Sequence, residues 1–385
     1  MAIQLGIPES AMIALTDMVD NCAEIKPGQE VLILAQKNGL YGGDDLVDEE
    51  AIGWVATMAQ SRGANVSILW IDEIQKVHEW RYPPIVKNAI AAADLFINTT
   101  FSLAVEEIAE YRNHIEETDT WMVRLFPVTA PLLMSDWAQT PYELVNMIRH
   151  VSSKPFMQAD MSKFVMTDPN GTHLEGYTTG PKPRQGIPGM PYNSWRRDAS
   201  HYLPWPEWVH PPINCKEVNG VFFFNCMLSW WSRYIGIEPE WKEPIRIDVK
   251  DSRMTKISGG PEADALKRFL DSMIEKVGDG IYNFDTFHFG IHPNSRVEDY
   301  QCPNLIYRRL IDHSHSSNLH VHVGSAPGND KYNFYPHITG DIRNATLTVG
   351  DMLVYDKGYL CCMQDPEVLE IAAKYPGRPG VPPKY

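Results

Sequence analysis

Residues 27–35 read PGQEVLILA, a Pro-Gly turn signal followed by an apolar run. A run this short and this continuous fits a strand buried on both faces, the habit of a parallel sheet. The flanking sequence agrees. VSILWI (66–71) and DLFINTT (94–100) repeat the pattern, and DEEAIGWVATMAQSRGA (48–64) has the acidic start and glycine stop of a helix. With WMVRLFPV (121–128) as a further strand, residues 1–150 are predicted to form a Rossmann-like α/β domain, a parallel sheet with helices on both faces. No GxGxxG follows the first strand, and YGGDD (41–45) is a poor substitute, so a dinucleotide site is not expected.

The texture changes near residue 150. DPNG between FVM and THLE reads as a hairpin turn, and VNGVFFFN (218–225), PIRIDVKD (244–251) and RMTKISGG (253–260) read as antiparallel strands. One helix interrupts them over 261–277, with Pro261 in its first turn and acids early. Short strands resume in FHFGIH, LHVHVG, DIRNATLTVG and MLVYDKG, and the chain closes on a Pro/Gly arm, YPGRPGVPPKY, expected to be loose or to pack on a neighbour. The fold class is therefore α/β, with a β-rich α+β domain over 151–385 that carries the candidate metal site.

Forty-nine acids against thirty-four bases give a net charge of −15, which argues against nucleic-acid and anionic-membrane partners. A small molecule fits better. No segment approaches a membrane span, no basic and apolar leader opens the sequence, and six scattered cysteines without CxxC suit a reducing cytoplasm.

Seven of the thirteen histidines, His288, His292, His313, His315, His320, His322 and His337, crowd into fifty residues. On a strand, residues two apart share a face, so His320 and His322 point the same way. Imidazoles from two adjacent strands joined by a carboxylate suit Fe(II), Zn(II) or Mn(II). A lone strand histidine is more often structural, and HSHSSN (313–318) reads as a solvated loop. PEWVHPP (206–212) offers Glu207 and His210 in a Pro-rich loop, while Asp341 and Arg343 flank the turn after His337, Arg343 suiting an acidic substrate or, more often for such a residue, a structural ion pair. SWWSRY (229–234) reads as core, and no GxSxG argues for an activated serine.

Taken in order, these pieces (the TDPNGT hairpin, VNG, the helix after ISGG, GIHPNS, LHVHVG and HITGDIRN) resemble the thermophilic aminopeptidase T family of metallopeptidases. They are also similar to that family's oxygenase relatives, the 2,5-dihydroxypyridine 5,6-dioxygenases. The resemblance implies two Glu, two His, an Asp and a Tyr around two ions. It places the first Glu at or beside Glu207 and the second on Thr286, where His288, two residues on, could substitute. The strand histidine matches His320, and the tyrosine position is Pro327. The HxD histidine is His337, but Thr339 stands at the aspartate, and the nearest carboxylate is Asp341.

With so few carboxylates, the resemblance implies one ion held by His288, His337 and either Glu207 or Asp341. His320 and His322 are the expected catalytic residues that move protons, His320 being also a possible ligand, and Arg343 and Trp208 the expected substrate contacts. The expected protein is a cytoplasmic, homo-oligomeric, mononuclear non-haem Fe(II) dioxygenase that uses O2 to open a hydroxylated aromatic or hydroxypyridine-like ring. The alternatives are a Zn, Co or Mn aminopeptidase or amidase, and an inactive ligand-binding relative.

Overall fold

The computed structural model describes residues 5–37, 46–72, 83–100, 118–157, 162–179, 201–206, 209–227, 235–324 and 338–384, apart from the side chains of residues 202, 276, 277 and 285. Glu207, Trp208, His337, Pro327, and the YGGDD and SWWSRY stretches lie outside them. The chain is mixed α/β, with a parallel five-stranded sheet and a large antiparallel one.

The parallel sheet is built around the opening run. Strand β1 (Glu30–Gln36) is buried at every position after its first, because β2 (Asn65–Ile71) and β3 (Leu95–Thr99) flank it in parallel register. The edge strand β2 is half-buried or exposed throughout, although most of its sequence is apolar. The predicted helix spans Glu49–Ser61, and Asp48 caps it by accepting from the Ala51 amide at 2.6 Å. β4 (Trp121–Arg124) is shorter than the predicted strand. Beside it runs β7 (Tyr202–Pro204), supplied from well beyond residue 150, so the sheet takes its last strand from the later part of the chain.

The antiparallel sheet begins with the predicted hairpin, β5 (Lys163–Thr167) and β6 (His173–Thr178), whose turn is fixed by Asp168 accepting from the Thr172 amide at 2.8 Å. β8 (Ile213–Met227) is 15 residues long and meets four partners. β6 and β9 (Glu240–Lys250) pair along its middle, β11 (Phe284–Phe289) at its start and β13 (Ile338–Ile342) at its end. β12 (Leu319–Val323) lies between β11 and β13, so β8, β11, β12 and β13 close into a ring. β10 (Arg253–Ser258) pairs with β9, and the predicted helix runs Pro261–Val277. Past β5 the sheet extends through β14 (Thr346–Val349), β15 (Met352–Asp356) and β16 (Tyr359–Leu360).

The C-terminal arm, expected to be loose or to pack on a neighbour, is instead tied to the chain itself. Arg378 donates to Asp17 at 2.9 Å and to the Gln139 carbonyl at 2.8 Å, and Asn294 donates to the Gly380 carbonyl at 2.9 Å. Asp17 is buried and also accepts from the Tyr142 amide, so the arm closes an otherwise unbalanced carboxylate. Among the described residues, no helix is long and apolar enough to cross a membrane.

Candidate metal centre

The pairing of β11, β12 and β13 determines which side chains meet. His288 stands opposite His320, and His320 opposite Asp341. One row along, Thr286 stands opposite His322, and His322 opposite Thr339. Asp341 in turn pairs with Cys226 on β8. Because strand side chains alternate, all of these project from one face of the sheet. Asp341 therefore sits one row from Thr339 on that same face.

A fourth imidazole arrives from outside the sheet. His313 ends the helix Leu305–His313, one turn beyond the buried Leu310, and is itself buried. Its position corrects the reading of HSHSSN as solvated: Ser314, Ser316 and Asn318 are also buried. Gly290 is the reason. A Cβ there would fall 2.2 Å from the His315 carbonyl oxygen and 2.4 Å from Ser314, so only glycine lets this segment lie against the end of β11. Three hydrogen bonds hold it, Gly290 N–H to Asn318, His292 N–H to Ser314 and Ser316 N–H to His292.

His288, His313 and His320 bring ligand atoms within 4.8 Å of one another. Imidazoles gathered this closely are candidates to share one ion, whose bonds to nitrogen run about 2.0–2.1 Å for zinc. The Asp341 carboxylate lies 3.5 Å from His320 Nε2 and 3.7 Å from His313 Nδ1, and the His313 and His320 rings stack at 3.6 Å. Burial pushes the His320 pKa well below its usual value, helped by the neighbouring His313, His288 and His322, while the His313 backbone pulls the other way. His320 is therefore a neutral ring with a lone pair to offer.

Hydrogen bonding fixes the tautomers of the second pair. His288 Nδ1 lies 3.1 Å from the His210 carbonyl oxygen, which can only accept, so Nδ1 carries the proton and Nε2 the lone pair. His322 Nε2, 2.8 Å from His288 Nε2, is then the donor, and its Nδ1 accepts from the Thr286 hydroxyl at 2.9 Å. An imidazole whose far N–H is held by a backbone carbonyl is the usual setting of a metal ligand. His210 contributes this carbonyl while its own ring faces away, 3.0 Å from the Ser153 hydroxyl. Burial pushes the Cys226 thiol up, so it stays protonated and donates to Asp341 Oδ2 at 3.3 Å.

These residues fit a divalent ion. Buried His313 Nδ1, both ring nitrogens of His320 and Asp341 Oδ1 find no well-formed hydrogen bond among the described residues, a costly state that a shared cation would relieve. Three imidazoles and a carboxylate form a donor set suited to iron, zinc or manganese. Of the expected site residues, the structure brings together His288, His320, His322 and Asp341, and adds His313, Thr286 and Cys226. Arg343 is at hand too, donating to Cys226 Sγ at 3.4 Å.

No protein-family model matches this chain, and no curated protein matches it by sequence. Solved structures do. The 2,5-dihydroxypyridine dioxygenase of Pseudomonas putida KT2440 superposes with a TM-score of 0.65 at 14% identity, covering 94% of this chain and 99% of its own. Wild-type AmpT from Thermus thermophilus superposes with a TM-score of 0.53 at 12% identity, covering 91% and 98%. At such identities the likeness is one of fold.

Proposed function

We propose that the chain is a mononuclear non-haem iron(II) dioxygenase that opens the ring of a hydroxylated aromatic or hydroxypyridine-like compound. The observation that carries this reading is the convergence of His288, His313 and His320 on one point, with Asp341 against two of them. The fold shared with a 2,5-dihydroxypyridine dioxygenase supports it. Iron(II) held there would supply the activation of O2 toward an electron-rich ring.

The chain's own residues do the rest. His288, His313, His320 and Asp341 would hold the ion, and the Cys226 thiol, donating to Asp341, orients the carboxylate. His322 holds a proton at Nε2. With His288 as a ligand its lone pair would no longer take that proton, which His322 would then hold for a reacting oxygen. Thr286 then keeps His322 in the right tautomer by donating to Nδ1. A two-ion hydrolase is less well supported, because Asp341 is the carboxylate within 4 Å of these imidazoles among the described residues. Two close dications held mainly by neutral rings would repel each other with little anionic charge to offset them.

Oxygen uptake by anaerobically iron-loaded protein, across a panel of hydroxypyridines and hydroquinones, tests the reading together with the metal content per chain. One ion and stoichiometric oxygen consumption are expected. Two ions per chain with cleavage of aminoacyl amides would replace this reading with the hydrolase.

A further inference from the structure

Against the Asp341 side of the cluster lies a cleft of about 390 Å³, whose walls carry Arg296, Arg308, Arg309 and Arg343. Four guanidiniums around one small cleft stand out in a chain of net charge −15. Four carboxylates share the cleft, and most are already engaged. Asp299 pairs with Arg308, and Asp312 pairs with Arg309, which also reaches Glu240. Asp341 faces the imidazoles. Neither of the two remaining arginines has a carboxylate within 4 Å among the described residues, although the Asp341 and Asp312 charges act on Arg343 and the Arg296 charge acts on Asp312. Arg296 donates to the Ser317 hydroxyl at 2.8 Å, and Arg343 donates to the Cys226 sulfur at 3.4 Å.

We infer that Arg343, with Arg296, forms a subsite for a carboxylate carried by the substrate, so that the ring opened at this centre belongs to a hydroxylated aromatic acid. The ring chemistry in this statement rests on the function proposed above, whereas the anion subsite rests on the arginines alone. Three features favour a carboxylate. Arg343 lies just past the end of β13, two residues after Asp341, and its guanidinium contacts Cys226, which itself donates to Asp341, so a ligand held there lies beside the cluster. The guanidinium fork matches a planar carboxylate in two parallel hydrogen bonds. Glu298 and the paired carboxylates on the same walls oppose a dianion, which disfavours phosphate. The size also suits a one-ring molecule, at the small end of ligand pockets.

The test uses protein loaded with zinc, which binds but does not turn over, and calorimetric titration with 3-hydroxybenzoate, 3-hydroxybenzamide and inorganic phosphate. The carboxylate should bind at least about tenfold tighter than the amide, as a charge-assisted pair allows, and the gap should shrink at high salt. Arg343→Gln should abolish the preference with zinc content unchanged, and Arg343→Lys should restore part of it. Should Arg343→Gln fail to fold, Arg296→Gln must reduce the same preference. Equal binding of acid and amide by the wild type, an undiminished preference in the glutamine variants, or tighter binding of phosphate would each overturn the subsite. A persistent preference for the acid without oxygen uptake on any hydroxylated ring would overturn the reaction and leave the subsite standing. Oxygen uptake on neutral rings with no gain from a carboxylate would do the reverse.

Discussion

At the scale of the residue, the cluster turns on one imidazole from outside the sheet, His313, whose ring stacks on His320 at 3.6 Å. His320 and His322 announce themselves by their spacing, and Asp341 falls on their face because β13 alternates with period two. His313 does not, since Ser-rich HSHSSN looks wet in composition. Its signal is helical: His313 follows the buried Leu310 at i+3 on an amphipathic helix, and that period extends one turn into the apparent loop. Replacing His313 by Ala should weaken divalent-ion binding by roughly a hundredfold, at least the loss typical of removing an outer partner of a metal ligand. Ion titration with a chromophoric competitor measures it. Unchanged affinity would remove His313 from the site and return weight to His337.

At the scale of the element, local signals mark helices and hairpins, whereas tertiary pairings leave no local trace in the sequence. The helix Pro261–Val277 matches its prediction because proline in the first turn and early acids are local signals. In β8 the apolar pattern covers only VNGVFFFN (218–225) of a strand that runs Ile213–Met227. Its first residues take their partners from β11 and β6, which no local pattern shows. The contact between β11 and the 313–318 segment is of the same tertiary kind, and Gly290 is its test. Gly290→Ala forces a methyl into the Ser314 and His315 backbone and should cost about 1–3 kcal/mol as an overpacked contact. Its diagnostic effect is on the ion, whose affinity should fall as His313 is pushed away. A variant that loses stability but keeps full affinity would show that the segment positions nothing. Gly340 is similarly constrained on the other side, where a Cβ would fall 2.1 Å from the Phe224 ring.

At the scale of the molecule, buried imidazoles make folding sensitive to acid. Burial pushes His210, His292 and His315 down to about 3, so each stays neutral in the folded chain. In the unfolded chain they take up a proton near pH 6.5. The folded state binds fewer protons between those values, so stability is held above about pH 6.5 and lost as the pH falls toward 3. Each group contributes up to roughly 1.4 kcal/mol per pH unit. Urea unfolding of metal-free protein from pH 7 to 5 should show a steep loss, and His292→Asn should reduce the slope by about one proton, 1.4 kcal/mol per pH unit. A pH-independent midpoint would mean these rings are not buried as described. The arm gives a second whole-molecule test. Arg378→Ala strands the buried Asp17 and should destabilise by about 3 kcal/mol in thermal or urea unfolding, at the lower end of the range for breaking a buried pair. The parallel sheet was legible through four strands, each an apolar run. Its fifth was not, because a three-residue strand from a distant segment has no pattern of its own.

That borrowed strand has a consequence for the nascent polypeptide. As the chain is synthesised, β1 to β4 can zip together early, yet β4 keeps an open hydrogen-bonding edge until Tyr202–Pro204 emerges, when Met122 N–H finds the His201 carbonyl at 2.8 Å. Until then the newborn sheet offers a sticky border to its neighbours on the ribosome. Capture by a chaperone would be expected in that interval of translation, well before the first histidine of the metal centre is made.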